Sequence, residues 1–149
     1  MKRRKAREYS LQLLYRIDFT GNLISENSKN SLQDSFDLFW QEVGEKDQQT
    51  KLFAEDLISG AIKHIKEIDF IIQAVAEKWT ITRMASIDRN ILRFSVYELL
   101  FRKDIPHAVT INESIEIAKK YSTSESAAFI NGILDKIAKE HAAKISHNP

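Results

Sequence analysis

Five cations fall within the first seven residues, Lys2, Arg3, Arg4, Lys5 and Arg7, and no acid lies among them. The chain holds 22 basic residues against 21 acids for a formal net charge of +1, so the basic character is gathered at one end and the remainder is net acidic. Clustered guanidinium and ammonium groups bind phosphate by releasing counterions, an affinity that falls with salt. Further along, Arg4, Glu8, Leu11 and Tyr15 are spaced i, i+4, i+7 and i+11, which sets the arm and a tyrosine on one side of a helix. Cations beside a flat ring suit RNA, whose unpaired bases stack on aromatic side chains. The same pattern also fits a solubilising terminus with Tyr15 at the edge of a core.

Other chemistry is not apparent. His64, His107, His141 and His147 are scattered, none with a second ligand at i+4, so no metal site is expected. Glu113 and Glu116 stand one turn apart, but Glu113 fits a helix-start role and Glu116 a solvated face. There is no cysteine, which excludes a disulfide framework, a thiolate metal site and a cysteine nucleophile. No glycine-rich phosphate loop, Gly-x-Ser-x-Gly turn or serine triad is present, so the expectation is a binding protein, not an enzyme, with no cofactor. No apolar run approaches the roughly 18 residues of a membrane span, and the basic start leads into an amphipathic stretch, not a signal peptide. A cytoplasmic protein is expected.

The elements that must position these residues read as helices throughout, an all-α fold. Prolines number two and glycines four, and the β-branched residues follow a 3.6-residue period. The strongest signal is 84–102, where Ile87, Ile91, Leu92, Phe94, Val96, Leu99 and Leu100 cover most of a helical barrel, so other helices must wall it in. Asp88, Arg89, Arg93, Glu98 and Arg102 leave one narrow polar strip for water or a partner. Before it come a helix over about 4–19, a polar loop over 21–30 and a helix over 31–43 with Leu32, Phe36, Phe39, Trp40 and Val43 inward, closed by Gly44. Next comes a helix capped by Asp47, with Leu52, Phe53, Leu57, Ile58, Ala61, Ile62 and Ile65 inward, then a segment over 66–79 ending at Trp79. After Pro106, Thr110 with Glu113 three residues on reads as a capping box, and Ser122 to Glu125 opens a last helix over about 124–143. Gly132 inside it is expected to admit another backbone closely. The tail from Lys144 to Pro149 is polar and expected to fray.

Two stretches together resemble the NusB family of transcription antitermination factors. The first is Arg3-Arg4-Lys5-Ala6-Arg7-Glu8 followed by Leu11-Gln12-Leu13-Leu14-Tyr15. The second runs through Asp88-Arg89, Ile91-Leu92-Arg93, Tyr97-Glu98-Leu99, Ile105-Pro106, Ile111-Asn112-Glu113, Ile117-Ala118-Lys119 and Phe129-Ile130-Asn131-Gly132-Ile133-Leu134-Asp135. The middle, about 22–49, matches no part of the pattern. The resemblance implies a single domain over 1–149 built of two small helical bundles, about 1–65 and 66–149. It also implies binding of the boxA element of ribosomal RNA leader transcripts jointly with the ribosomal protein NusE, acting on the elongation complex with RNA polymerase. Carried over by position, the RNA surface would be Lys2, Arg3, Arg4, Lys5, Arg7 and Tyr15. In the second half it would include Tyr121, Glu125 and Phe129, the last equally consistent with core packing, and there the two helix-start signals set backbone amides beside Lys119 and Lys120, a further anion site by the helix dipole. Thr82, Arg83, Asp88, Arg89 and Glu98 would face the protein partner. A helical protein-interaction module with an incidental basic arm is the alternative.

Overall fold

The structure is a computed structural model and describes residues 2–21, 29–77 and 80–146, with the side chains of 29–30 and 142–146 left aside. Of the loop predicted over 21–30, residues 22–28 lie outside the described residues, as do Trp79 and the last three residues, whereas 29–30 already belong to a helix that starts two residues before the expected 31. The described residues form seven α-helices and one 3-10 turn, and no strand. The chain divides into two compact units, Met1–His64 and Ile65–Pro149.

The first unit holds α1 (Lys2–Phe19), α2 (Lys29–Val43) and α3 (Gln48–Lys63). No glycine or proline occurs in α1, so the helix runs through the basic residues themselves, two residues earlier than expected. Gly21 and Gly44 close α1 and α2 with φ of +75° and +70°, the left-handed geometry that lets a backbone N–H reach back into the last turn. Asp47 caps α3, accepting from the Thr50 backbone N–H at 2.9 Å and its hydroxyl at 2.7 Å. The core combines Leu13, Leu14 and Ile17 of α1 with Leu57, Ile58 and Ile62 of α3. Beside it Tyr9, Phe39 and Trp40 meet edge to face, with centroids 5.1 to 5.7 Å apart. Leu52 and Val43, expected inward, are exposed instead, because each falls just outside its helix's buried stripe.

The second unit holds α4 (Ile65–Ala76), the 3-10 turn Ile81–Arg83, α5 (Ser86–Phe101), α6 (His107–Tyr121) and α7 (Ser124–Ser146). Every residue from Asn90 to Leu99 is buried, and α4, α6 and α7 supply the walls around α5. Of the polar strip, Asp88, Arg93 and Glu98 are buried, while Arg89 is half-buried and Arg102, just past the end of α5, pairs with the exposed Asp104. Arg93 makes a two-pronged pair with Asp69 of α4, both contacts at 2.9 Å, and also donates to Asn90 at 3.2 Å. Glu98 is fully buried and accepts from the Thr110 hydroxyl on α6, while Ser95 and Ser114 bond at 2.6 Å one turn away. Thr110 is therefore an interior residue, not a capping one: α6 starts three residues earlier, directly after Pro106, whose fixed φ suits the residue that precedes a helix. Gly132 sits on the exposed face of α7 with no atom of the described residues within 4 Å of where a Cβ would stand, so it admits no close neighbour among them. The tail remains helical as far as Ser146.

Candidate nucleic-acid interface

The first turn of α1 spreads its cations around the helix, and the faces differ in fate. Arg3 and Arg7, four residues apart, share the face that meets α3, with their guanidinium carbons 4.7 and 5.2 Å from the centre of the Phe53 ring. Arg3 stays exposed, but Arg7 is only 2% exposed and belongs to the interior. Arg7 is thus a packing residue and does not present its charge to a phosphate.

Lys2 and Lys5 point to the link between α2 and α3. Lys2 pairs with Asp47 at 3.3 Å, and Lys5 pairs with Glu45 at 3.0 Å. Glu45 also accepts from the Tyr9 hydroxyl and the Asp47 backbone N–H, each at 2.9 Å. The Asp47 N–H, then Lys5 and Tyr9, hold the Glu45 carboxyl far below its ordinary value, to about 2, and the same pairing raises Lys5. Arg4 is half-buried, and the buried Leu11 separates it from Tyr15, so the expected continuous basic and aromatic face is interrupted. Tyr15 is exposed and stacks on Phe19 with centroids 6.3 Å apart and planes 20° from parallel. Phe19 is 78% exposed and extends the ring surface, a residue the sequence pattern placed only at a helix end.

In the second unit, a cleft of about 260 Å³ is lined by Arg83, Met84, Ala85, Asp88, Thr123, Glu125, Ser126 and Phe129. The 3-10 turn forms one wall, the start of α5 the floor, and the first turns of α7 the other wall. Asp88 ties these together, accepting from the hydroxyls of Ser122 at 2.9 Å and Ser126 at 2.7 Å. Thr123 caps α7 by accepting from the Ser126 N–H at 3.0 Å, as the serine-rich start signal implied. Arg89 donates to the carbonyls of Ile81 and Met84 at 3.1 and 3.3 Å, fixing the 3-10 turn.

This geometry redistributes the residues expected from sequence. Arg83 and Asp88, expected at a protein surface, share the cleft with Glu125 and Phe129, expected at an RNA surface. Asp88 and Arg89 hold the cleft's shape through internal bonds, and Glu98, fully buried against α6, is withdrawn from any partner surface because its carboxylate is used inside the fold. Thr82 remains exposed beside Arg83. Lys119 and Lys120 are exposed at the end of α6, where Lys120 lies 5.5 Å from the Tyr121 ring centre, but none of the three lines the cleft. Phe129 is half-buried, its ring serving as cleft wall instead of core. Among the described residues, no group of His, Asp or Glu is arranged to hold a metal ion, and no helix is long and apolar enough to cross a membrane.

Two helical units without a strand among the described residues, carrying exposed cations and rings, define an all-α protein with surfaces built for binding. The NusB family profile matches residues 4–139, and the chain belongs to the NusB family. It is 58% identical over 149 residues to the transcription antitermination protein NusB of Thermodesulfovibrio yellowstonii, covering 99% of this chain and 97% of that one. It is 47% identical over 137 residues to NusB of Desulfitobacterium hafniense, covering 92% and 88%. Among solved structures, T. maritima NusB matches with a TM-score of 0.81 at 39% identity, covering 99% of this chain and 97% of that one. A structure of the antitermination factors NusB and NusE in complex with double-stranded RNA matches at 0.80 and 30% identity, covering 93% and 97%.

Proposed function

We propose that this chain is an RNA-binding transcription antitermination factor that recognises the boxA element of ribosomal RNA leader transcripts together with NusE, and that the pair acts on the RNA polymerase elongation complex. The observation that carries the reading is the nearly full-length match to the protein that shares a complex with NusE and RNA. The work is recognition without catalysis, carried out where transcripts are made, in the cytoplasm. Exposed Lys2, Arg3 and Lys5, with half-buried Arg4, supply phosphate contacts, and their affinity falls with salt. Tyr15 and Phe19 offer a stacking surface to unpaired bases. In the cleft, Phe129 offers a ring edge, Glu125 an acceptor for base amino groups and Arg83 a cation, with Lys119, Lys120 and Tyr121 as flanking contacts. Thr82 and Arg83 on the 3-10 turn are the polar groups left for the protein partner. Two modest surfaces joined through one RNA bind more tightly than either alone.

The test is a salt titration of binding to boxA RNA and to a scrambled sequence, with and without NusE, for the native chain and Phe129→Ala. The expected result is a boxA preference that sharpens with NusE and shrinks in the variant. Equal binding to both RNAs under all conditions would reject the reading in favour of a helical interaction module with an incidental basic arm.

A further inference from the structure

Lys2 and Lys5, which stand exposed at the start of α1, are already engaged by acids of their own unit. The acids are fixed and the lysines are not. Glu45 is held by the Tyr9 hydroxyl and the Asp47 N–H, and only 9% of its side chain is accessible; Asp47 is held by its capping bonds to Thr50. The side chains of Lys5 and Lys2 are 60% and 64% accessible, on flexible four-carbon stems. A phosphate approaching this turn therefore meets cations whose partners cannot move away with them. When Lys5 turns outward, the Glu45 carboxylate, ionised at any physiological pH, stays behind as a repelling charge.

We propose that Glu45 and Asp47 act as an internal stand-in for RNA phosphate, holding Lys5 and Lys2 and setting the threshold that an RNA backbone must exceed to engage the first turn of α1. The inference rests on the RNA-binding reading above and adds a selectivity device to it. Arbitrary RNA binds through charge alone and gains little by exchanging one ion pair for another. An RNA held by further contacts to bases carries the exchange through. Glu45 and Asp47 thereby suppress non-specific binding more than specific binding, without touching a base.

The experiment measures binding of oligouridine, a single strand without boxA, by fluorescence anisotropy across a salt series. Glu45→Gln is expected to bind about 2- to 5-fold more tightly at low salt, the range an exposed ion pair can hold back. Its log–log salt slope should steepen by about 0.7, one added phosphate contact on a single strand. Asp34→Asn, an equal change in net charge at an exposed residue of α2, should leave the slope unchanged. Asp47→Ser keeps a capping acceptor for α3 while removing the Lys2 partner, so it repeats the test should Glu45→Gln fold poorly. In a Lys5→Gln background, Glu45→Gln should give no gain. Unchanged or weaker binding by Glu45→Gln and Asp47→Ser, with native helical circular dichroism, overturns the proposal; weaker binding would make Glu45 a positioning residue for Lys5. A native chain that binds no RNA at any salt overturns the RNA-binding reading itself, and the two failures are thereby distinguishable.

Discussion

Arg7 separates cations that hold the fold from cations that face solvent, and Arg7→Ala puts a number on the difference. The substitution removes two buried methylenes at about 0.8 kcal/mol each, near 1.6 kcal/mol together. It also removes a guanidinium that lies 5.2 Å from the Phe53 ring centre at 2% exposure. A desolvated cation–π contact adds about 1 to 2 kcal/mol, so the expected loss is about 3 kcal/mol. For a chain of this length that corresponds to a melting point about 6 to 12 °C lower. Urea unfolding followed by circular dichroism gives the free energy, and RNA anisotropy at a temperature where the variant is folded gives the salt slope. Arg7→Ala should keep the native slope, because a buried cation releases no counterions from RNA. Arg3→Ala should reverse the pattern, costing under about 1 kcal/mol of stability while flattening the slope by about 0.7. If Arg7→Ala costs less than about 1 kcal/mol and flattens the slope as much as Arg3→Ala, the assignment of Arg7 to the interior is wrong.

Gly132→Ala should raise stability by about 0.5 to 1 kcal/mol in urea unfolding, since a Cβ there meets nothing and alanine is the better helix former; a loss would reveal a close neighbour. Thr110→Val keeps the shape but takes a donor from the buried Glu98 carboxylate, and should cost about 1.5 to 3 kcal/mol, whereas Glu98→Gln in the Thr110→Val background should recover part of it. A Thr110→Val protein as stable as the native one would argue against that bond. For Glu45, the folded carboxyl titrates at about 2 against an ordinary 4.5. A lowered carboxyl stabilises the fold fully above its unfolded value and loses that contribution as pH falls through the folded one. The stability gap between the native chain and Glu45→Gln should therefore close between about pH 4.5 and pH 2, and a gap constant across that window would count against the pairing.

The helical architecture was legible wherever one residue decides a backbone event. Gly44 ends α2 because a positive φ is cheap only for glycine, and Asp47 starts α3 because its carboxylate reaches the Thr50 N–H. Apolar periodicity likewise identified α5 as the helix that others surround. Thr110 shows where local rules stop. Thr110 and Glu113 have the spacing of a capping box, but Pro106 supplies a start three residues earlier, and the threonine is left inside the helix to bond Glu98. Gly132 failed for a similar reason: a glycine cost in a helix suggests a tight crossing, but nothing in one helix says whether a second helix comes near.

The candidate site was half legible, and burial of charge explains the missing half. A row of Arg, Asp and Glu on a helix reads as a wet face because an unpaired buried charge costs several kcal/mol. That inference holds only if no partner waits on another helix. Here each has one: Asp69 for Arg93, Thr110 for Glu98, Ser122 and Ser126 for Asp88. Satisfied in this way, the strip orders the second unit, and of the residues expected at a partner surface Thr82 and Arg83 of the 3-10 turn stay exposed. The same logic runs in reverse at the other end of the chain. Five clustered cations read as one phosphate-binding arm, but the helix that carries them turns Arg7 inward onto Phe53 and sets Lys2 and Lys5 against Asp47 and Glu45. Charge counted along the sequence therefore overstates what a phosphate meets, and the two acids that reduce it, Glu45 and Asp47, lie on the α2–α3 link, within the stretch that matches no part of the family pattern.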